Sequence, residues 1–259
     1  GDTIAIHYSN FDTHGFTVHP MFAIRFPDKS GATAHLPYRC LLPKGLDGLL
    51  VTGLGVSAHR DAMPILRMQP CVQNQGYAAG IAGAMAAKDG RPTRSVEIAK
   101  LQKHLVKAEC LPPDVPTHTD SFPLSDKKVA AAVKDVVNHF KGLETVLAKP
   151  DTALPLLRKA YARASSPADR LTYANILGMM GDATGIETLL EAVATMPWDK
   201  GWNFKGMGQF GGSLSRVDRL IISLGRTGDK RAVGAVLEKV RQLYASKESP
   251  HHRAVALAI

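Results

Sequence analysis

Cysteine is scarce in this chain. Cys40, Cys71 and Cys110 are three among 259 residues, an odd number with no C-x-x-C pair and no Cys/His spacing of the metal-binding kind. A disulfide framework and a structural zinc site are therefore not expected, and the three suit buried thiols. Long apolar runs are lacking too. None approaches the roughly 18 residues that a membrane-spanning helix needs, and the first residues carry no charged-then-apolar leader pattern. There is no initiating Met. Gly1-Asp2-Thr3 reads as a cut end, and the closing SPHHRAVALAI as the first half of a further repeat helix, so the expectation is a piece truncated at both ends. The compartment stays open.

What is present is globular in kind: 45% hydrophobic and 21% charged residues, enough for one large domain or two ordinary ones. The net charge of +9 is uneven. Residues 1–124 hold 12 Lys/Arg against 10 Asp/Glu, whereas residues 125–259 hold 20 against 13. Such an excess could attract nucleic acid or an anionic surface, but the solvated face of amphipathic helices explains it more simply.

In the N-terminal part, Ile4, Ile6 and Tyr8 alternate with polar neighbours except at Ala5, the period of a half-buried strand. Met21–Phe26 (MFAIRF) reads as a second strand, and Pro27 to Gly31 as the turn that returns the chain. HLPYRCLLP then reads as a short extended piece bracketed by Pro37 and Pro43. His7, Asp12, His14, His19 and His35 make this part histidine-rich, but their spacing is not that of a metal site, and none is expected. They are either hydrogen-bonding histidines or, for one or two, groups facing a substrate pocket.

Leu49–Ala87 (LLVTGLGVSAHRDAMPILRMQPCVQNQGYAAGIAGAMAA) is the stretch that organises the rest. It reads as a short buried strand ending at Gly53-Leu54-Gly55, a polar loop, and a slim helix of Gly and Ala from about Gln75. Glycines at such a turn permit positive φ or close backbone approach. A slim helix can pack very near a sheet or a flat cofactor. Beyond it, Val96, Ile98, Leu101 and Leu105 are spaced as on a helix, and the proline-rich stretch 112–124 reads as a linker.

From Ser125 the pattern is helix after helix. Ser125 or Asp126 can cap one whose stripe is Val129, Val133, Val136, Val137 and Phe140, and Thr152 to Pro155 opens another. ILGMMGDATGIETLLEAV (176–193) then aligns with SLGRTGDKRAVGAVLEKV (223–240) at an offset of 47 residues. Repeats of that period are those of HEAT or armadillo arrays. In each Gly-Asp pair, Gly would close one helix in the left-handed region and Asp would cap the next. Between the copies, Met196–Ser213 holds Trp198, Trp202, Phe204 and many glycines. It is either a lid or contact surface, or a surface loop pinned by its aromatics.

The segment PYRCLLPKGLDGLLVTGLGVSAHRDAMPILRMQPCVQNQGYAAGIAGAMAAKDG resembles the C-terminal part of FAD-dependent oxidoreductases, in the group placed beside fumarate reductase-like flavoproteins. In that family a PYR-C-L-PK segment leads to an LLVAGR strand, an S-x-H-type loop, an LR-x-Q-P piece and a GxAAG helix. The resemblance is close over about residues 35–110 and looser before them, and the helical tail with its WDKGWN…GMGQFG loop resembles an extension of some bacterial members. It implies FAD as cofactor, with the ADP-binding GxGxxG turn upstream; these residues contain none. Gly53 and Gly55 would lie on the diphosphate–ribityl region, and Arg67, Met68 and Gln69, ahead of Gly76 and the rest of the GxAAG helix, would meet the flavin ring. A helix N-terminus there would place positive potential at the flavin's pyrimidine edge and favour its anionic reduced form. One departure stands out: Leu54 occupies the place where family members commonly have Arg. Arg39, His59 and Arg67 are the candidate catalytic groups, the arginines to clamp an anionic substrate or flavin edge and His59 to move a proton. Each has a plainer alternative: a buried ion pair for Arg39, a turn cap for His59, a loop brace for Arg67.

The expected fold is therefore α+β. Residues 1–111 form part of a Rossmann-like FAD-binding domain, 112–124 a linker, and 125–259 an all-α HEAT/armadillo-like region. The expected function is that of a fragment of an FAD-dependent oxidoreductase transferring hydride between a small or carbohydrate-like substrate and FAD. Its partner would be the missing ADP-binding half, and on its own the fragment would be inactive and bind FAD weakly or not at all. The alternative is a non-catalytic module whose basic helices bind a partner protein or, less expected, nucleic acid.

Overall fold

In the computed structural model, residues 1–11, 18–25, 31–200, 214–243 and 249–259 are described. Asp12, His14, Trp202 and Phe204 lie outside them. By its contacts the chain divides into two units, Gly1–Asp12 with Pro27–Phe122, and Thr13–Phe26 with Pro123–Ile259.

The first unit is built on β1 (Thr3–Ser9), which pairs antiparallel with β2 (Ala32–Pro37) across an irregularity between Thr3 and Ala5. That irregularity lets Ile4 and Ala5 both be buried, which explains the break in alternation at Ala5. Between the strands in sequence lies α1 (Pro20–Ile24), a helix where a second strand is expected. Pro20 stands in its first turn and the His19 ring accepts from the Met21 N–H at 3.1 Å, so a proline start and a side-chain cap outweigh the β-prone composition. Its Ala23 and Ile24 belong to the core of the second unit.

After β2 the chain does not stay extended: Tyr38–Leu41 is a 3₁₀ turn. Leu49–Val51 is not a strand either. Its Val51 N–H donates to the Leu41 carbonyl at 2.8 Å, a single tether and not a ladder, and the run is not buried: Leu49 is exposed and Leu50 and Val51 are half-buried. There follow a 3₁₀ turn at Gly53–Gly55, another at Arg60–Ala62, α2 (Met63–Leu66), α3 (Gln69–Lys88) and α4 (Ile98–Lys107). Ala78, Ala79 and Ala82 of α3 pack into a core with Ile4, Leu36, Leu41, Leu101 and Leu105. Val115, 2% exposed, joins that core from within the proline-rich stretch. The two strands and the small-residue helix are compatible with a piece of a Rossmann-like domain.

The second unit is helical. Its elements after α1 are α5 (Asp126–Asp135), α6 (Leu143–Ala148), α7 (Pro150–Arg163), α8 (Pro167–Met179), α9 (Ile186–Thr195), α10 (Arg216–Arg226), α11 (Arg231–Val240) and α12 (Ser249–Ala258). Ser125 caps α5, and Val129, Val133 and Val136 are buried as their spacing demands. The helix at 150 opens on Pro150, not Thr152, and carries Pro155 inside it. At the two repeat corners Gly181 and Gly228 have φ of +83° and +71°, and Asp182 and Asp229 accept from the Thr184 and Arg231 N–H groups. The left-handed closure is thus as predicted at both, whereas the aspartates are not the N-cap residues of the helices: Asp182 caps the 3₁₀ turn Ala183–Gly185 ahead of α9, and α11 has Lys230 at its N-cap with Asp229 one residue before it. Equivalent helices pack on each other: α8 on α10 and α9 on α11, with α12 next to α10. Arg226 Nε donates to the Met179 carbonyl at 2.8 Å, joining equivalent positions of the two copies. Trp198 is pinned, its indole N–H 3.3 Å from the Lys239 carbonyl and its ring 4.4 Å from that of His251. Among the described residues no helix is long and apolar enough to cross a membrane, and no group of His, Cys, Asp and Glu could hold a metal ion.

Candidate functional site

In the first unit, the turn at Gly53 and the start of α3 enclose a cleft of about 400 Å³ lined by Gly53, Leu54, Arg67, Gln69, Val72 and Gln73. Two bonds fix the loop that carries the turn: Val51 N–H to Leu41, and Ser57 N–H to the Cys40 carbonyl at 2.9 Å. Gly53 takes φ +65°, which side-chain-bearing residues rarely adopt. A Cβ on Gly55 would stand 2.8 Å from the Val51 side chain, so glycine there answers to close approach.

The other wall comes from the break between α2 and α3. Arg67 closes α2, its N–H donating to the Met63 carbonyl at 3.0 Å; Met68 is extended, and α3 begins at Gln69 with Pro70 in its first turn. No side chain caps α3 at Met68. The first-turn amides of a 20-residue helix therefore end beside Gln69 with their positive potential unspent on a protein cap.

Behind the turn sits Gln75, wholly buried. Its Oε1 accepts the Gly53 N–H, while its Nε2 has no partner. His7 on β1 is also wholly buried, and neither ring nitrogen makes a well-formed hydrogen bond. Burial pushes its pKa below 6.5, with the Leu66 carbonyl opposing that shift.

Of the candidate residues, the fold brings Gly53, Arg67 and Gln69 to one cleft. Met68 is the residue before α3, Gly55 is the exposed end of the same turn, and Gly76 lies further along α3 with nothing within 4 Å of the place its Cβ would take. Arg39 and His59 do not line the cleft. The Arg39 guanidinium, 64% exposed, pairs with Asp2, whose carboxylate also accepts the Arg39 N–H at 3.1 Å. His59 caps the Arg60–Ala62 turn, its Nδ1 accepting from the Asp61 N–H at 3.1 Å. Leu54, the departure from the family pattern, is 75% exposed at the cleft. Gln75 escapes the sequence reading, because it stands in a run of three amides, Gln73-Asn74-Gln75, and nothing local marks it as the buried one.

No curated protein and no solved structure matches the chain. Residues 1–105, less than half of the chain but the part that builds this cleft, match the family model described as FAD dependent oxidoreductase, which supports an origin in an FAD-dependent oxidoreductase.

Proposed function

We propose that the first unit supplies the flavin-side wall of an FAD site, in an oxidoreductase that moves hydride between a small or carbohydrate-like substrate and FAD. The observation that carries this reading is the joining of Gly53, Arg67 and the uncapped start of α3 at one cleft inside the family-matched residues. These groups fit a flat, anionic-edged cofactor. Gly53 admits a close backbone approach; the first-turn amides and Arg67 supply positive potential where negative charge must be held; Leu54 and Val72 supply apolar wall. Bound FAD would supply the hydride-accepting chemistry. Arg39 and His59, each engaged locally, fit positioning roles better than catalysis.

The residues for the ADP half are not in this chain, which holds no GxGxxG, so a second segment must complete the site. We further read the helices from Ser125 as a HEAT-like array. Lys149, Arg158, Arg231 and Arg241 of this unit each pair with a carboxylate, as cations on the solvated faces of such helices do.

Flavin titration tests the assignment. The 259-residue chain should hold no stoichiometric flavin absorbance. A polypeptide in which a strand and GxGxxG turn precede residue 1 should hold it, and Arg67→Met should weaken FAD binding there by about tenfold. Stoichiometric FAD in the chain alone would overturn the half-site; no flavin in the longer polypeptide would overturn the assignment itself.

A further inference from the structure

The second unit contains a cavity of about 510 Å³ that the flavin reading does not use. It opens between the α5–α6 connection, α8 and α10. Phe140, Leu171 and Leu220 supply apolar wall, and Asn175, Arg216 and Arg219 supply the polar part. Its volume is within the roughly 300–1,000 Å³ of small-molecule sites.

Three features of it are not explained by packing alone. First, Asn175 is only 6% exposed, and its side-chain oxygen has no hydrogen-bond partner. A buried amide without a partner is costly unless something else satisfies it. Second, the guanidinium of Arg219 is buried against neutral groups. Its Nη atoms donate to the Ile24 carbonyl at 2.9 Å and the Leu214 carbonyl at 3.2 Å, while Nε is buried with no partner. Burial lowers its pKa, with Asp199 and Asp218 acting in the other direction. Those carboxylates are already engaged: Asp199 accepts from the Arg216 and Val217 N–H groups, and Asp218 binds the Ser215 N–H and His251. The guanidinium of Arg216 makes no ion pair among the described residues. Third, the connection that carries Phe140 to the wall is strained, with His139 and Phe140 at φ +53° and +58°. Consecutive left-handed residues other than glycine are held only where their surroundings impose them, and such strain gathers at ligand sites.

We propose that this cavity binds a small organic anion with an apolar body and a hydroxyl. The anionic head, carboxylate or phosphate, would take the guanidinium groups of Arg216 and Arg219, both of which line the cavity. The apolar body would lie against Phe140, Leu171 and Leu220, and the hydroxyl, able to donate or accept, would satisfy the Asn175 amide. The site lies within the second unit and does not depend on the flavin assignment.

Calorimetric titration of the 259-residue chain with three probes tests this: 4-hydroxyphenylacetate, 4-hydroxyphenyl phosphate and the neutral 4-hydroxyphenylacetamide. At least one anion should bind saturably, about tenfold or more tighter than the amide, and the better of the two identifies the head group. Arg219 braces the Ile24 and Leu214 carbonyls, so its loss could unfold the chain; Arg216→Met is the cleaner variant. It should weaken the anion by about tenfold while circular dichroism and Tm stay unchanged. Binding of neither anion, equal binding of the amide, or full affinity in Arg216→Met would overturn the proposal.

Discussion

Glycine is used in opposite ways by α3 of the first unit and α8 of the second. On α8 and in the turn after it, glycine marks contact. A Cβ on Gly178 of α8 would stand 2.5 Å from Ser223 Oγ and 2.8 Å from the Ser223 carbonyl, and one on Gly185 would stand 2.7 Å from the Ala174 Cα. In the first unit, Gly76, Gly80 and Gly83 run along one side of α3 and would meet nothing within 4 Å. The packed side of α3 is its alanine side. Among the described residues, the slim helix of the sequence is thus slim on its uncovered side. Buried polar groups do not divide the units in this way: Gln75 Nε2 in the first and Asn175 Oδ1 and Arg219 Nε in the second lack a hydrogen-bond partner, while Asp218 binds the Ser215 amide and His251.

The comparison can be broken by substitution. The largest effect is expected at Asp218, which is fully buried, completes the capping box with Ser215 and holds His251 Nδ1 at 2.7 Å. Asp218→Ala should cost roughly 3–5 kcal/mol in urea denaturation, because it strands several buried donors at once. Next is Gly178→Ala. Backbone at 2.8 Å cannot yield as a flexible side-chain end would, so about 2–3 kcal/mol should be lost. A smaller effect is expected at His7 and should depend on pH. Its folded pKa lies below 6.5, so the unfolded chain takes up a proton that the folded chain resists. Stability should fall as pH drops through 6.5 and level off once the folded imidazole is protonated too. His7→Met should remove that component, visible as a smaller difference between urea midpoints at about pH 7.5 and about pH 5.5. Smallest, and opposite in sign, is Gly80→Ala: with open space at its Cβ, helix propensity should raise stability by up to about 1 kcal/mol. A loss there instead would mean that the glycine side of α3 is covered after all.

What could be read from the sequence followed how local its causes are. The left-handed glycines of the Gly-Asp corners are legible because each is set by a few adjacent residues, and the structure has both, with each Asp accepting from an amide two residues on. The joining of Gly53, Arg67 and Gln69 was legible because one turn and one helix break bring them together. Arg39 and His59 lie away from this cleft, in the ion pair and the turn cap named as their plainer alternatives, although neither Asp2 nor the Asp61 amide is distinctive in the sequence. At Met21–Phe26 the decisive signals, Pro20 and a histidine cap, were present, but the apolar composition spoke louder. The cavity of the helical unit was not legible at all. Its lining comes from three separate helical segments, and no spacing announces such a meeting.

One feature of the fold bears on how the molecule arose. The short helix α1 lies inside the stretch matched by the oxidoreductase family, yet Ala23 and Ile24 complete the core of the helical unit and the Ile24 carbonyl receives Arg219. The helical region is therefore not a tail that can be gained or discarded without consequence. A cut after Phe122 would leave its core short of residues synthesised more than a hundred positions earlier. On the ribosome, those residues emerge first and must wait for the helices that bury them. The helical unit is thus assembled from two stretches of chain that the first unit separates.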